Sequence, residues 1–568
     1  MHRRRPSPWT AAVVVIAALV LLPLGFIVAS LLSPSVDVWR QLWETRLPTL
    51  IWSTVSLLVL VGLGTAVLGV GFAWLVTAYR FPGRGLFSWL LVLPLAMPGY
   101  VLGFVFLSIV GFTGPIQGRW RDTFGQDAWF PEVRSVWAAA VVLSLVLYPY
   151  VYLLARAAFR DTAATSYDVA RTLGATPWVS FRRVVLPLAR PALVAGLALV
   201  MMETLTDFAT VQYFGVDTVS AGIYQVWRGM YDREAAAELA GLVLLFALAV
   251  ILAERGLRGR ATYAETGAGG TGIEPRRLRG GRAAMATLAC VAVLTAAFGA
   301  PVAQLTSWAF THGDTAARTW DRYAGYLFNS VVLGVVTAGL CVGLGVVVAN
   351  AVRFADNRAT RFLARVTVVG YAVPAPVVAI GVLLLVVGLD SLLEVIGIEV
   401  TGLLVTGSIF AVVYGYAVRF LALGVNSVDA SLEKVPAEVT MSARTLGAGS
   451  ARILARLHLP LARSGVLTAA ILVAIEALKE LPIVLLLRPF GFDTLSVWTW
   501  QLAAESFWEA AALPALTIVG VSLVPVAFLS RQLAKGERDV TAALAPDPDV
   551  SHQPMGAETG DAEGTMVP

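Results

Sequence analysis

Charge is what this chain has least of. Only 14% of its 568 residues are Asp, Glu, Lys or Arg, against 58% hydrophobic, a balance no soluble globular protein needs. Lysine is nearly missing: Lys434, Lys479 and Lys535 are the only three. The dipeptide Gly-Lys never occurs, so a GxxxxGK(S/T) phosphate-binding loop is impossible and any ATP hydrolysis must come from another chain. GxSxG, HExxH and CxxC are absent as well, so the chain does not read as an enzyme. The two cysteines, Cys290 and Cys341, fall inside apolar runs, and the four histidines are scattered. No disulfide is expected and no metal ligands are assigned.

What is present is apolar sequence in membrane-length pieces. About 20 apolar residues as helix cross roughly 30 Å of hydrocarbon. Twelve such spans are predicted, near 10–33, 53–79, 87–113, 135–157, 192–212 and 236–254, then 283–309, 327–352, 363–389, 403–428, 465–487 and 510–530. Pro98, Pro374 and Pro376 do not veto spans, because neighbouring helices can satisfy freed backbone groups. Orientation follows from loop arginines. Arg3, Arg4 and Arg5 precede span 1, and Arg80 and Arg84 follow span 2. Arg160, Arg171, Arg182, Arg183 and Arg190 follow span 4, and seven arginines between Arg255 and Arg282 follow span 6. The loop after span 3 is balanced. Both termini are therefore expected in the cytoplasm of a plasma-membrane protein. The net charge of +5 reflects this bias and calls for no nucleic-acid partner. The alternation also argues against a cleaved signal peptide at residues 1–33.

The chain repeats itself. ARTLGA occupies Ala170–Ala175 and again Ala443–Ala448, 273 residues apart, and LPLAR occupies Leu186–Arg190 and Leu459–Arg463 at the same offset. METLTDF (Met202–Phe208) matches IEALKEL (Ile475–Leu481), FGVDT (Phe214–Thr218) matches FGFDT (Phe490–Thr494), and MPGYV (Met97–Val101) matches VPAPV (Val373–Val377). EAAAELA (Glu234–Ala240) matches EAAALPA (Glu509–Ala515). Such a series marks an internal duplication. Each half holds six spans, with the polar repeat in the loop between its spans 4 and 5. An even number of spans makes the halves parallel, related by a pseudo-two-fold axis along the membrane normal with a pathway between them. The expected fold is thus an all-α polytopic membrane protein of two pseudo-symmetric six-helix halves. The first half covers 1–255, with a cytoplasmic loop at 160–190. A linker covers 256–282, flexible over 261–275. The second half covers 283–535, with its loop at 433–463, and 536–568 is a disordered acidic tail.

Two groups of residues carry candidate function. The repeated loop predicts a surface helix–turn–helix, in which Gly174 and Gly447 break the helix where φ must turn positive. Arginine clusters of this kind also merely anchor helices at an anionic leaflet. Within the spans, Glu203 and Asp207, and equivalently Glu476, Lys479 and Glu480, are costly and mark function by default. The i, i+4 spacing places Glu203 with Asp207, and Glu476 with Glu480, on one helix face each. Both faces would line a cation path. The competing reading pairs Lys479 with Glu476 and leaves the others bonded to backbone or water. FGVDT and FGFDT read as turns, with a gate or binding-protein contact as the other possibility.

The A-x-x-x-G spacing followed by Leu-Pro resembles the EAA loop of binding-protein-dependent ABC importer permeases, over roughly 45–255 and 320–530. The resemblance implies a type I permease in which Asp168, Ala170, Gly174, Ala443 and Gly447 belong to two coupling segments. It further implies docking of two ATP-binding subunits that hold ATP and Mg, and delivery by an extracytoplasmic solute-binding protein. Copy 1 has Asp168 where the family usually has Glu, and copy 2 has Met441, so the two docking sites are not equivalent. Segments 203–240 and 476–516 look like the ferric-iron subgroup, which implies iron as cargo along Glu203, Asp207, Glu476 and Glu480. Thiamine, polyamine and phosphonate permeases share the fused architecture. An ion-coupled secondary transporter also fits twelve spans but has no use for a duplicated docking loop. A membrane enzyme or assembly factor lacks any catalytic motif.

Overall fold

The computed structural model describes residues 7–32, 36–161, 164–227, 233–258, 273, 275–311, 320–355, 357–397 and 407–543. Residues 1–6, most of the expected flexible linker and the end of the tail from 544 lie outside them. Met1–Val526 forms one compact unit and Ala527–Pro568 a second, in which the described residues are helical through Ala543. The tail expected to be disordered from 536 is therefore helical over its first residues.

Each of the twelve expected spans coincides with helix, but not all as simple rods. Ten helices are long and apolar enough to cross a membrane among the described residues, and an eleventh counts if the pair Ser450–Leu461 and Arg463–Lys479, bent by 75°, is one span. The twelfth has a described apolar stretch of only Ala512–Ala527. Spans 3 and 9 are broken. A 3-10 turn (Leu93–Ala96, Val369–Ala372) precedes an extended Pro98 or Pro374, and a new helix starts at Gly99 or Ala375. Proline has no N–H to give and disfavours helix in the residue before it. One facing helix, Val136–Asp161, satisfies the opened backbone of the first break: Tyr148 Oη donates to Leu91 O at 2.9 Å and Tyr152 Oη to Ser88 O at 2.7 Å.

Spans 5 and 11 depart further from expectation. The fifth helix starts at Pro177, not 192, runs through a π segment at Phe181–Val185 and stops at Thr206, and two short helices, Ala209–Tyr213 and Val219–Gln225, replace its expected end. The eleventh stops at Lys479, and Pro482–Leu487 and Leu495–Ala504 follow. The FGVDT and FGFDT repeats are the turns between the short helices. Gly215 and Gly491 take φ of +64° and +78°, and the Thr218 and Thr494 hydroxyls cap the next helix through Ala221 N and Val497 N.

In lipid the tails are as apolar as leucine, so helices associate through close van der Waals packing at small residues. Leu47–Ala78 lies against Val136–Asp161, and Trp320–Ala355 against Ile409–Leu432. A Cβ on Gly345 would sit 2.7 Å from the Gly424 carbonyl carbon, and one on Gly69 2.7 Å from Val151 Cβ. The same crossing is thus built twice.

The first helix of each half is exchanged. Pro8–Leu32 packs on Trp320–Ala355, Arg358–Thr367 and Ala375–Val395 of the second half, where Tyr414 Oη donates to Leu19 O at 2.5 Å. Gly281–Thr311 packs in turn on the first half, where Thr287 Oγ1 donates to Pro82 O at 3.1 Å. Just before it, Arg276–Arg277 pairs in parallel with Tyr79–Arg80. The sequence boundaries 1–255 and 283–535 therefore divide the repeat but not the packing.

Candidate functional site

The duplicated ARTLGA is a helix-stop. In the first copy, helix Ala164–Thr172 ends as Gly174 N donates to Arg171 O and Ala175 N to Ala170 O, both at 3.1 Å. In the second, helix Ala437–Thr445 ends with Gly447 N to Arg444 O at 2.9 Å and Ala448 N to Ala443 O at 3.0 Å. These are the paired bonds of a Schellman motif, which needs a left-handed residue after the helix. Gly174 (φ +87°) and Gly447 (φ +80°) supply it, in the role expected of them. New helices begin at Pro177 and Ser450. The surface helix–turn–helix expected at both loops is present.

Of the coupling residues predicted from sequence, Asp168, Gly174 and Gly447 are exposed and Ala170 and Ala443 half-buried. Met441, where the acid is missing, is exposed. The last helical turn also presents Leu173 and Leu446, 82% and 87% exposed. Both leucines sit inside the repeated motif, and their exposure at a polar loop is what the sequence reading overlooked.

The two segments are held to the body by different chemistry. Tyr167 stands edge-on to Trp74 at 5.5 Å, and Trp74 also packs on Phe181 and Phe159. Burial raises the Tyr167 hydroxyl above its ordinary pKa. At the equivalent place in copy 2, the Thr440 hydroxyl bonds His458 Nε2 at 3.0 Å, and His458 Nδ1 bonds Asn350 Oδ1 at 2.5 Å. Asn350 Oδ1 only accepts, so Nδ1 carries the proton and Nε2 accepts from Thr440. The imidazole stacks on Phe354 at 5.4 Å. An aromatic anchor thus serves one half and a hydrogen-bonded histidine the other.

The intramembrane acids come together. Glu203, Asp207, Glu476 and Glu480 all line one cavity of about 150 Å³ between the halves, together with Lys479, Tyr100, Tyr150 and Arg419. Each acid has a protein partner. Asp207 accepts from Thr210 N at 2.7 Å and Thr210 Oγ1 at 2.6 Å, and Glu480 accepts from Ile483 N at 3.1 Å. These two carboxylates cap the short helices that follow the breaks, at repeat-equivalent positions. Glu476 pairs with Lys479 at 2.7 Å, and Glu203 lies 3.9 Å from Arg419. Lining the cavity and satisfying local structure are thus compatible roles for the same four residues. Among the described residues, no three His, Cys, Asp or Glu side chains converge as a metal-ligand group. Arg419 was missed from sequence, although an arginine inside a long apolar run (YGYAVRFLA) was the signal to see.

Both halves match one family model, described as the binding-protein-dependent transport system inner membrane component, over residues 66–254 and 341–538. The chain belongs to this family. It is a multi-pass membrane permease of an ABC importer. The chain is 25% identical over 540 residues to the Fe(3+)-transport system permease protein FbpB 2 of Haemophilus influenzae, covering 94% of this chain and 100% of that one. It is 31% identical over 256 residues to the sulfate transport system permease protein CysT of Escherichia coli, covering 43% of this chain and 89% of that one. It is 32% identical over 189 residues to the molybdenum transport system permease protein ModB of Escherichia coli, covering 32% of this chain and 80% of that one. In this permease the two family matches take in both ARTLGA loops and all four cavity acids.

Proposed function

We propose that this permease carries ferric iron, received from an extracytoplasmic binding protein and driven by two ATP-binding subunits that hold ATP and Mg. The observation that carries the reading is the meeting of four repeat-equivalent carboxylates around one cavity between the halves. Hard trivalent cations favour oxygen ligands. A passage must bind its cargo weakly enough to release it, which suits acids spread along a wall and already bonded to protein groups. The full-length relative named as an Fe(3+) permease points the same way. Leu173 and Leu446, presented on rigid Schellman turns, are the contacts offered to the ATPases, with Asp168, Ala170, Gly174, Ala443 and Gly447 shaping the segments. This orientation puts 1–8, 255–282 and 536–568 in the cytoplasm and 114–134 outside. An impermeant reagent that labels a cysteine at position 270 from outside would overturn it.

A second reading takes an oxyanion as cargo. Arg419 and Lys479 share the cavity, and permeases named for sulfate and molybdenum match single halves. Uptake of labelled iron, sulfate and molybdate by cells lacking other importers separates the two. Iron uptake that is lost when Glu203, Asp207, Glu476 and Glu480 are changed to Gln and Asn, with the ATPase still attached, is the expected result. Sulfate or molybdate uptake without iron uptake would replace the iron reading. Full iron uptake in the neutralised variant would keep the cargo and return the acids to a structural role.

A further inference from the structure

Two cavities meet at one wall. Beside the carboxylate cavity lies a second of about 230 Å³, lined by Ala195, Leu199, Ile251, Glu254 and Tyr371 among others. Glu203, Thr206 and Arg419 line both. Ile251 and Glu254 belong to the last turns of Arg233–Arg258, the end that lies beside the start of Leu186–Thr206, and Ala195 to the middle of Leu186–Thr206. The second cavity therefore lies toward the coupling segments, with the shared wall between it and the carboxylate cavity.

Arg419 is an unusual wall residue. It is only 7% exposed, and Nε and Nη1 are buried with no hydrogen-bond partner. Its contact with Glu203 runs through Nη2 at 3.9 Å, an ion pair too long for a hydrogen bond. The ion pair is what reaches across the gap between the halves; the guanidinium's other contact, 5.9 Å from the Phe420 ring centroid, lies within its own helix. Such a group is costly to bury, and a buried ion pair is weak evidence of a stabilising role. The fold itself does not ask for it. The repeat-equivalent residue, 273 positions earlier, is Val146, which also lines the carboxylate cavity.

We propose that Glu203 and Arg419 form a charge-selective partition of the translocation path, with Arg419 the residue that sets which cations pass. The proposal rests on reading the two cavities as consecutive parts of that path. A cation entering the carboxylate cavity meets a fixed positive charge at the wall. Opening the pair has a fixed cost, whereas the attraction of four carboxylates for the cation grows with its charge. Monovalent and divalent ions are turned back. A more highly charged cation weakens the hold of Glu203 on the guanidinium, and the ATP-driven movement of the halves then lets it through. Because the two members come from opposite halves, a relative movement of the halves opens the same wall.

The test is the resting leak of Na⁺ and Mg²⁺ from liposomes holding the full chain, with no iron present. Wild-type vesicles are expected to hold both ions. Arg419→Gln and Arg419→Glu are expected to leak about tenfold faster or more, as one fixed charge at a constriction dominates cation entry. Adding Glu203→Arg to Arg419→Glu restores an opposite-charge pair, and the leak is expected to return to within about twofold of wild type. Arg419→Gln vesicles as tight as wild type, or an exchanged pair that leaks like Arg419→Glu alone, would overturn the partition. If Arg419→Gln fails to fold, the comparison of Arg419→Glu with the exchanged pair carries the same decision. Since the leak is read without iron, its outcome is independent of the cargo. Absent iron uptake by the wild type would overturn the iron reading and leave the partition standing.

Discussion

Gly447 offers a graded test of the coupling segments. Its φ of +80° lies in the left-handed region, and a Cβ built there meets nothing within 4 Å. Gly447→Ala therefore carries only the conformational cost of a left-handed alanine, about 1–2 kcal/mol, with no clash. If that cost falls on the turn the partner must recognise, binding of the ATP-binding subunit weakens about 5–30-fold. Gly447→Pro does more. Its ring fixes φ near −65° and deletes the N–H that bonds Arg444 O at 2.9 Å. A loss of about 3 kcal/mol or more corresponds to over about 100-fold in affinity. Gly449, two residues on at φ −70° and also unobstructed, is the control: as the N-cap of the helix from Ser450 it should lose only about 0.5 kcal/mol on Gly449→Ala, less than Gly447→Ala. The assay is titration of the detergent-solubilised chain with its ATP-binding subunit, with thermal melting as the check on fold. The order Gly449→Ala, Gly447→Ala, Gly447→Pro is expected for loss of affinity, with melting nearly unchanged. Wild-type affinity in a folded Gly447→Pro chain would refute the docking role of this turn, as would equal effects of the two alanine variants.

Further outcomes follow from single contacts. Leu173→Asp and Leu446→Asp change residues 82% and 87% exposed, so melting should shift by less than about 0.5 kcal/mol equivalent while ATPase co-purification falls. His458→Ala removes the histidine that joins Thr440 to Asn350 and leaves buried Asn350 Oδ1 unpaired, at about 1–3 kcal/mol. Proteolysis is expected to speed up at residues 437–449 and not at 164–176, and equal cleavage at both segments would contradict the separate anchors. Gly345→Val forces a side chain into the Gly424 backbone, so the melting temperature should drop or the protein fail to assemble, and a wild-type melt would refute the close crossing.

Much of this molecule is written locally. The apolar runs fix where helices cross, because any twenty-residue stretch without charge meets the same demand from lipid wherever it stands in the chain. The helix-stop in ARTLGA is equally local: one glycine that can take positive φ and two backbone bonds within six residues define it. The duplication made both features stand out. Breaks at Pro98 and Pro374 were visible as prolines, but whether a proline kinks or ends a helix depends on what receives the freed carbonyls. At the first break those receivers are Tyr148 and Tyr152, more than 50 residues away in sequence.

The sequence by itself settled membrane class, repeat and the repeated helix-stop, since each follows from hydropathy or backbone geometry over a few neighbouring residues. Its acids at 203, 207, 476 and 480 were also legible, as charges that hydrocarbon does not tolerate unpaired. Only the tertiary structure decided that the first helices are exchanged and that the four acids share one cavity. Only it placed Glu203 opposite Arg419, 216 positions on, whose own repeat-equivalent is a valine. Those outcomes depend on which small residues let two backbones come within contact distance, and on the partner each buried charge then finds. No local pattern carries that information, because the partner's position is set by the packing of helices far apart in the chain.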